Sequence, residues 1–135
     1  MSFFQSSHKF VIIFIAMCIT QFPITNANTA KCIIGYKPFA NGQNAVCHDE
    51  VYVNWLCPIK QCSKDGRQFV PMKGCVLDNV AGTSNQECSA YNFKTSGQYA
   101  CSNSGGRDYT CPYTPSNVPF ITCSGCKPPG HSKFS

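Results

Sequence analysis

Cysteine is the residue of this sequence best placed to do chemistry. There are eleven in 135 residues. Ten lie beyond residue 27: Cys32, Cys47, Cys57, Cys62, Cys75, Cys88, Cys101, Cys111, Cys123 and Cys126. Thiols at this density serve as disulfide staples, metal ligands or redox centres. Cys123-Ser124-Gly125-Cys126 is a C-x-x-C pair, and four residues separate Cys57 from Cys62. Both spacings suit a tetrahedral zinc site. His48, directly after Cys47, and His131, near the C-terminus, are the additional candidate ligands. A redox enzyme of the thioredoxin kind would place its C-x-x-C beside a βαβ pattern, and none is visible here. Hydrolysis by paired carboxylates would draw on Asp49, Glu50, Asp65, Asp78, Glu87 and Asp108, with His48-Asp49-Glu50 as the one cluster. No Gly-x-Ser-x-Gly elbow or His-Glu-x-x-His helix motif accompanies them. The motifs therefore favour a cross-linked scaffold over a catalyst, with no catalytic or organic cofactor-binding residue assigned.

The chain must carry these residues into a suitable compartment. His8 and Lys9 precede an unbroken apolar run, Phe10 to Ile19, which ends before Gln21 and Pro23. About 20 apolar residues are needed to span a bilayer, so the run is short for an anchor. Thr25-Asn26-Ala27 supplies small residues at the −3 and −1 positions of a cleavage site. Residues 1–27 read as a signal peptide, and Cys18 leaves with it. An oxidising destination favours disulfides. The C-x-x-C pair pulls toward zinc, so both remain open. Net charge is +5, but the basic residues are scattered. Scattered charge suits a solvated surface, not a nucleic-acid footprint.

No stretch beyond residue 27 keeps a helical period. Short β-branched and aromatic clusters alternate with turn pairs: Cys32-Ile33-Ile34, Val51-Tyr52-Val53, Gln68-Phe69-Val70, Gln98-Tyr99-Ala100 and Phe120-Ile121-Thr122 are separated by Asn41-Gly42, Asp65-Gly66, Ser96-Gly97 and Gly105-Gly106. This is the pattern of a small all-β domain. The cysteine order also repeats. Cys32, Cys47, Cys57 and Cys75 match Cys88, Cys101, Cys111 and Cys123 in sequence, with Trp55-Leu56-Cys57-Pro58 against Tyr109-Thr110-Cys111-Pro112. Val70-Pro71 before Cys75 likewise matches Val118-Pro119 before Cys123. Two tandem β-rich units are expected, residues 28–77 and 87–135, joined by a polar linker at 78–86. Each should gather its four matched cysteines. Cys62 and Cys126 are left over, and they either join the halves or mark a metal site. Units of about 50 residues bury too little apolar surface to hold themselves together without such staples.

Taken together, the signal peptide, short cysteine-rich chain, doubled cysteine order and aromatic-x-Cys elements at Trp55-Leu56-Cys57 and Tyr109-Thr110-Cys111 resemble the secreted avirulence effectors of rust fungi. The resemblance spans residues 32–126. It implies delivery into host cells and recognition by a host immune receptor, while the rigid cross-linking, two similar units and turn-rich loops favour a non-enzymatic protein that binds a host protein. Some proteins of that group are similar in having repeated β modules stapled by zinc, which survives a reducing cytosol better than a disulfide. A monomer is expected, with no nucleic-acid partner and no membrane association after the signal is removed. The alternatives are a secreted disulfide-rich inhibitor or antimicrobial protein and, more weakly, a small secreted hydrolase.

The cleavage site gives a direct test. N-terminal sequencing of exported protein should read from Asn28 or within a few residues of it. A mature form that retains residues 10–20 would refute the signal-peptide reading.

Overall fold

The computed structural model describes residues 28–113 and 120–128. The expected signal peptide (residues 1–27), Val118-Pro119 and His131 lie outside these residues. Ten strands run in order: β1 (Ala30–Lys31), β2 (Gly35–Pro38), β3 (Asn44–His48), β4 (Asn54–Pro58), β5 (Cys62–Ser63), β6 (Val70–Leu77), β7 (Ser84–Phe93), β8 (Gln98–Asn103), β9 (Asp108–Pro112) and β10 (Thr122–Cys123). A 3₁₀ turn at Ile59–Gln61 is the only helical element among the described residues. The all-β expectation is met.

Every strand pairing is antiparallel. Seven strands form one sheet in the order β4-β3-β2-β7-β6-β9-β8, and β8 pairs back onto β7. That return pairing closes β7, β6, β9 and β8 into a ring, which leaves none of those four as a bare edge. A second, three-stranded sheet has the order β1-β10-β5.

The turn pairs Asn41-Gly42, Asp65-Gly66, Ser96-Gly97 and Gly105-Gly106 all fall between strands or bridges, as the sequence predicts. Asp65 and Gly66 both take positive φ, 50° and 76°, as a type I′ turn requires. Only Gln98-Tyr99-Ala100 of the apolar clusters lies wholly in a strand: residues 32–34 fall between β1 and β2, Gln68-Phe69 and Phe120-Ile121 lie just outside β6 and β10, and Val51-Tyr52-Val53 departs furthest. Instead of a strand, it is the turn between β3 and β4. The Asp49 carboxylate takes the backbone N–H groups of Val51 and Val53 at 3.0 and 2.9 Å, so they are lost to a ladder.

Alternation of buried and half-exposed residues, as in Asn44-Ala45-Val46-Cys47-His48, aims one face of the sheet inward. The resulting core is built largely from sulfur. Among the described residues, ten of its eighteen buried hydrophobic residues are cysteines, the rest being Ala30, Tyr36, Ala45, Val70, Met72, Tyr91, Tyr99 and Ile121. All ten cysteines pair: Cys32–Cys47, Cys57–Cys126, Cys62–Cys123, Cys75–Cys111 and Cys88–Cys101.

This pairing revises the expected staples. Cys62 and Cys126 do not bond to each other, and only Cys32–Cys47 and Cys88–Cys101 stay within one expected unit. The other three disulfides join residues 28–77 to residues 87–135. The expected linker 78–86 ends inside β7, and β6 hydrogen-bonds to β7 and β9. The two segments are therefore interleaved, because strand pairing, not sequence order, decides which sulfurs meet.

Tyr91 joins the two sheets. Its hydroxyl donates to the Cys32 carbonyl at 2.6 Å and accepts from the Ile121 N–H at 2.9 Å. Its ring packs 6.3 Å from Tyr36 and 6.0 Å, edge to face, from Tyr99. The Tyr99 hydroxyl donates to the Ile33 carbonyl at 3.0 Å. Burial pushes the Tyr91 hydroxyl well above the usual tyrosine range. A pKa raised in the folded state leaves stability intact below the unfolded value, about 10, and removes it above.

We expect Tyr91→Phe to destabilise the protein by about 1–3 kcal/mol, because two buried backbone groups lose their partner. The wild type should lose stability as pH climbs past about 10, and Tyr91→Phe should lose less over the same interval. Urea unfolding at several pH values measures both, and equal pH slopes would contradict the assignment.

Candidate functional site

The outward face of β4, β3, β2, β7 and β8 carries a trough. Its register follows directly from the pairings. One row across the strands reads Asn54, His48, Gly35, Asn92, Ala100. The neighbouring row carries Val46 paired with Lys37, and Ala90 paired with Ser102. The centre is small and apolar: Gly35, Ala90, Ala100 and Val46. Polar side chains surround it: Lys37, His48, Asn54, Asn92 and Ser102. The cavity holds about 460 Å³, within the range of ligand pockets, roughly 300–1,000 Å³.

The trough exists because its central residues lack bulk. A Cβ on Gly35 would lie 2.9 Å from Asn92 Oδ1 and 3.1 Å from the Tyr91 carbonyl. Glycine at 35 thus permits β2 and β7 to approach, and no larger residue fits without moving Asn92. Tyr36 and Tyr91 also border the trough, but both are buried among the core residues.

The β3–β4 turn stands beside the trough, since His48 and Asn54 are its flanking pair. Its tip is apolar and open, with Val51 and Tyr52 each 69% exposed. Tyr52 has φ 62°, an uncommon conformation for a bulky residue. Asp49 holds it there. Besides the two backbone N–H groups, its carboxylate accepts from Trp55 Nε1 at 3.0 Å. Partial burial pushes the Asp49 carboxyl up, but the hydrogen bonds from Trp55, Val53 and Val51, with His48 nearby, outweigh it and hold the group below the usual carboxylate range.

These placements answer the sequence candidates in turn. Asp49 is occupied in fixing its turn, and Glu50 is exposed beside it. Asp65, Asp78, Glu87 and Asp108 are exposed, and Asp108 accepts a hydrogen bond from Ser102. His48 faces the trough while Cys47 faces the core, as strand alternation requires. No local sequence signal marks the trough. Its floor comes from single small residues on four separate strands, a signal that only the register assembles.

The sulfurs crowd into clusters. Those of Cys57, Cys62 and Cys123 lie within 4.8 Å of one another, as do those of Cys32, Cys47 and Cys123, and of Cys88, Cys101 and Cys111. Zinc binds thiolate, and a disulfide sulfur carries no such charge. His48 is on the opposite face from these sulfurs. In the oxidised protein the donor set does not fit zinc, and the clusters are disulfides packed side by side.

Protein-family models, curated proteins and solved structures were all compared with this chain, and none matches.

The trough makes two substitutions diagnostic. Ala100→Trp points outward and should fill the trough while leaving the melting temperature within a few degrees of wild type. Gly35→Ala crowds Asn92 and the Tyr91 carbonyl and should cost about 1–3 kcal/mol. Thermal melts of the two variants check the contrast. A Gly35→Ala variant as stable as wild type would remove the close approach of β2 and β7 as the origin of the trough.

Proposed function

We propose that this is an exported, non-enzymatic binding protein, effector-like in its action on the proteins of another organism. The observation that carries the reading is the union of a small-floored trough with an apolar, rigidly held loop tip at its side. Interfaces draw most of their affinity from a few aromatic or apolar anchors in well-packed pockets. Tyr52 and Val51 offer such anchors, and a turn held by Asp49 loses little entropy on docking. Five disulfides suit export into an oxidising space, where they remain formed. On this reading residues 1–27 direct secretion, a host protein occupies the trough and loop, and a host immune receptor reads the same exposed surface. Zinc enters the proposal only for a chain reduced inside a host cell, where the clustered thiols would be free to ionise.

The loop also supports a second reading. The turn at 49–53 is exposed and lies between Cys47 and Cys57, both disulfide-bonded. An inhibitor offers a protease a loop of this kind.

The test is competition. Immobilised mature protein should retain a host protein that soluble wild type displaces and that Ala100→Trp and Tyr52→Ala displace at least tenfold less well. Equal displacement by both variants would remove the trough and loop from the function. Inhibition of a secreted protease that Tyr52→Ala abolishes would favour the second reading instead.

A further inference from the structure

We infer that the chain is a fused pair of equivalent half-modules that have exchanged their fourth strands, and that the trough lies on the axis relating them. The inference concerns the architecture and stands whatever the trough binds.

The equivalence begins with two meanders, β2-β3-β4 and β7-β8-β9. Tyr36 and Trp55 both pair with Cys47, while Tyr91 and Tyr109 both pair with Cys101. Ala45 pairs with Cys57, and Tyr99 with Cys111. The disulfide Cys32–Cys47 then matches Cys88–Cys101.

The fourth strand makes the exchange visible. Val76 in β6 pairs with Thr110, beside the Cys75–Cys111 disulfide. In the other half Lys127 bridges to Leu56, beside Cys126–Cys57. At the far end of the same segments, Val70 faces Cys88, and the Cys32 N–H donates to the Ile121 carbonyl at 2.9 Å. Val70 and Ile121 are both completely buried. The sequence Val70-Pro71-Met72-Lys73-Gly74-Cys75 therefore corresponds to Ile121-Thr122-Cys123-Ser124-Gly125-Cys126. Each has glycine at positive φ before its last cysteine, 69° at Gly74 and 65° at Gly125.

This revises the match expected from the sequence. Cys75 corresponds to Cys126, and Cys123 stands where the other half has Met72. The Cys62–Cys123 disulfide is then an addition to one half, with Met72 in the place of its second sulfur. Each fourth strand follows one meander in the chain but completes the other, so neither half closes without its neighbour.

The axis falls at the β2–β7 seam, where Tyr36 pairs with its own counterpart, Tyr91. The trough straddles this seam. Its floor residues are equivalent pairs, Gly35 with Ala90 and Val46 with Ala100, and all are small or apolar. Its polar residues have diverged: His48 corresponds to Ser102, and Lys37 to Asn92. A symmetric apolar floor with unlike ends suits one asymmetric ligand lying across the seam.

The exchange makes a covalent prediction. Without it, Cys57 would pair with Cys75 and Cys111 with Cys126, leaving Cys62–Cys123 as the sole link between the halves. The experiment removes that link in the mature chain with Cys62→Ala and Cys123→Met, the residue found at the equivalent place. A protease site inserted in the exposed Asn79–Gly82 turn is then cut, and intact mass is measured under denaturing, non-reducing conditions. We expect the two pieces to stay joined and to separate only on reduction. Separation without reductant would overturn the exchange. Should the variant fail to fold, linked peptides from the unmodified protein decide the question. Cys57–Cys126 with Cys75–Cys111 upholds the exchange, and Cys57–Cys75 with Cys111–Cys126 overturns it.

Discussion

Burial of sulfur is the constraint on which the rest of this fold depends. A chain of this size with so few large aliphatic side chains inside cannot offset its conformational entropy by apolar burial alone. Among the described residues, only Val70, Met72 and Ile121 are larger aliphatic or thioether residues in the core. The disulfides supply what the core lacks. Each restricts the unfolded chain, and each also fills space as a compact apolar group, since every one of the ten sulfurs is buried. The three that join distant parts of the sequence enclose the longest loops, where the entropic model assigns the largest effect.

Polar satisfaction follows the same economy. Among the described residues, the core holds no buried charged or amide side chain, and its polar side-chain atoms are tyrosine hydroxyls. Tyr91 and Tyr99 use those hydroxyls to hold the step between β1 and β2, at the carbonyls of Cys32 and Ile33. A phenol suits this place because its ring packs as an apolar plate while its tip hydrogen-bonds. The two sheets are thereby held by covalent bonds at the sulfurs and by hydrogen bonds at the tyrosines.

With the inward face so fully committed, the outward face is free to vary. The trough results from small residues at the β2–β7 seam, and the loop beside it results from one aspartate that captures three donors. Neither feature disturbs the disulfides beneath. Such separation of scaffold from surface is what lets a cross-linked domain present a mobile choice of side chains on an immobile frame, and it fits the binding role proposed above. Within the His48-Asp49-Glu50 cluster, Asp49 is committed to its turn by three accepted hydrogen bonds.

Much of the fold was legible in local sequence. The turn pairs, the all-β class and the need for cross-links follow from residue types and spacing, because turn geometry and chain entropy are local properties. The aromatic residues of the two aromatic-x-Cys elements, Trp55 and Tyr109, each pair with a disulfide-bonded cysteine, Cys47 and Cys101. Three things were not legible. Val51-Tyr52-Val53 has strand composition, but the Asp49 side chain outcompetes the ladder for its N–H groups. Which cysteine meets which depends on strands β6 and β10 crossing to pair with distant partners, and spacing along the chain carries no record of that. The trough depends on register, since Gly35, Val46, Ala90 and Ala100 become neighbours only when four strands align. The sequence alone determined that this chain would be β-rich and held by its cysteines. Tertiary structure alone decided their partners and the site, because both are set by long-range pairing, whose energy is shared among residues that have no local signature.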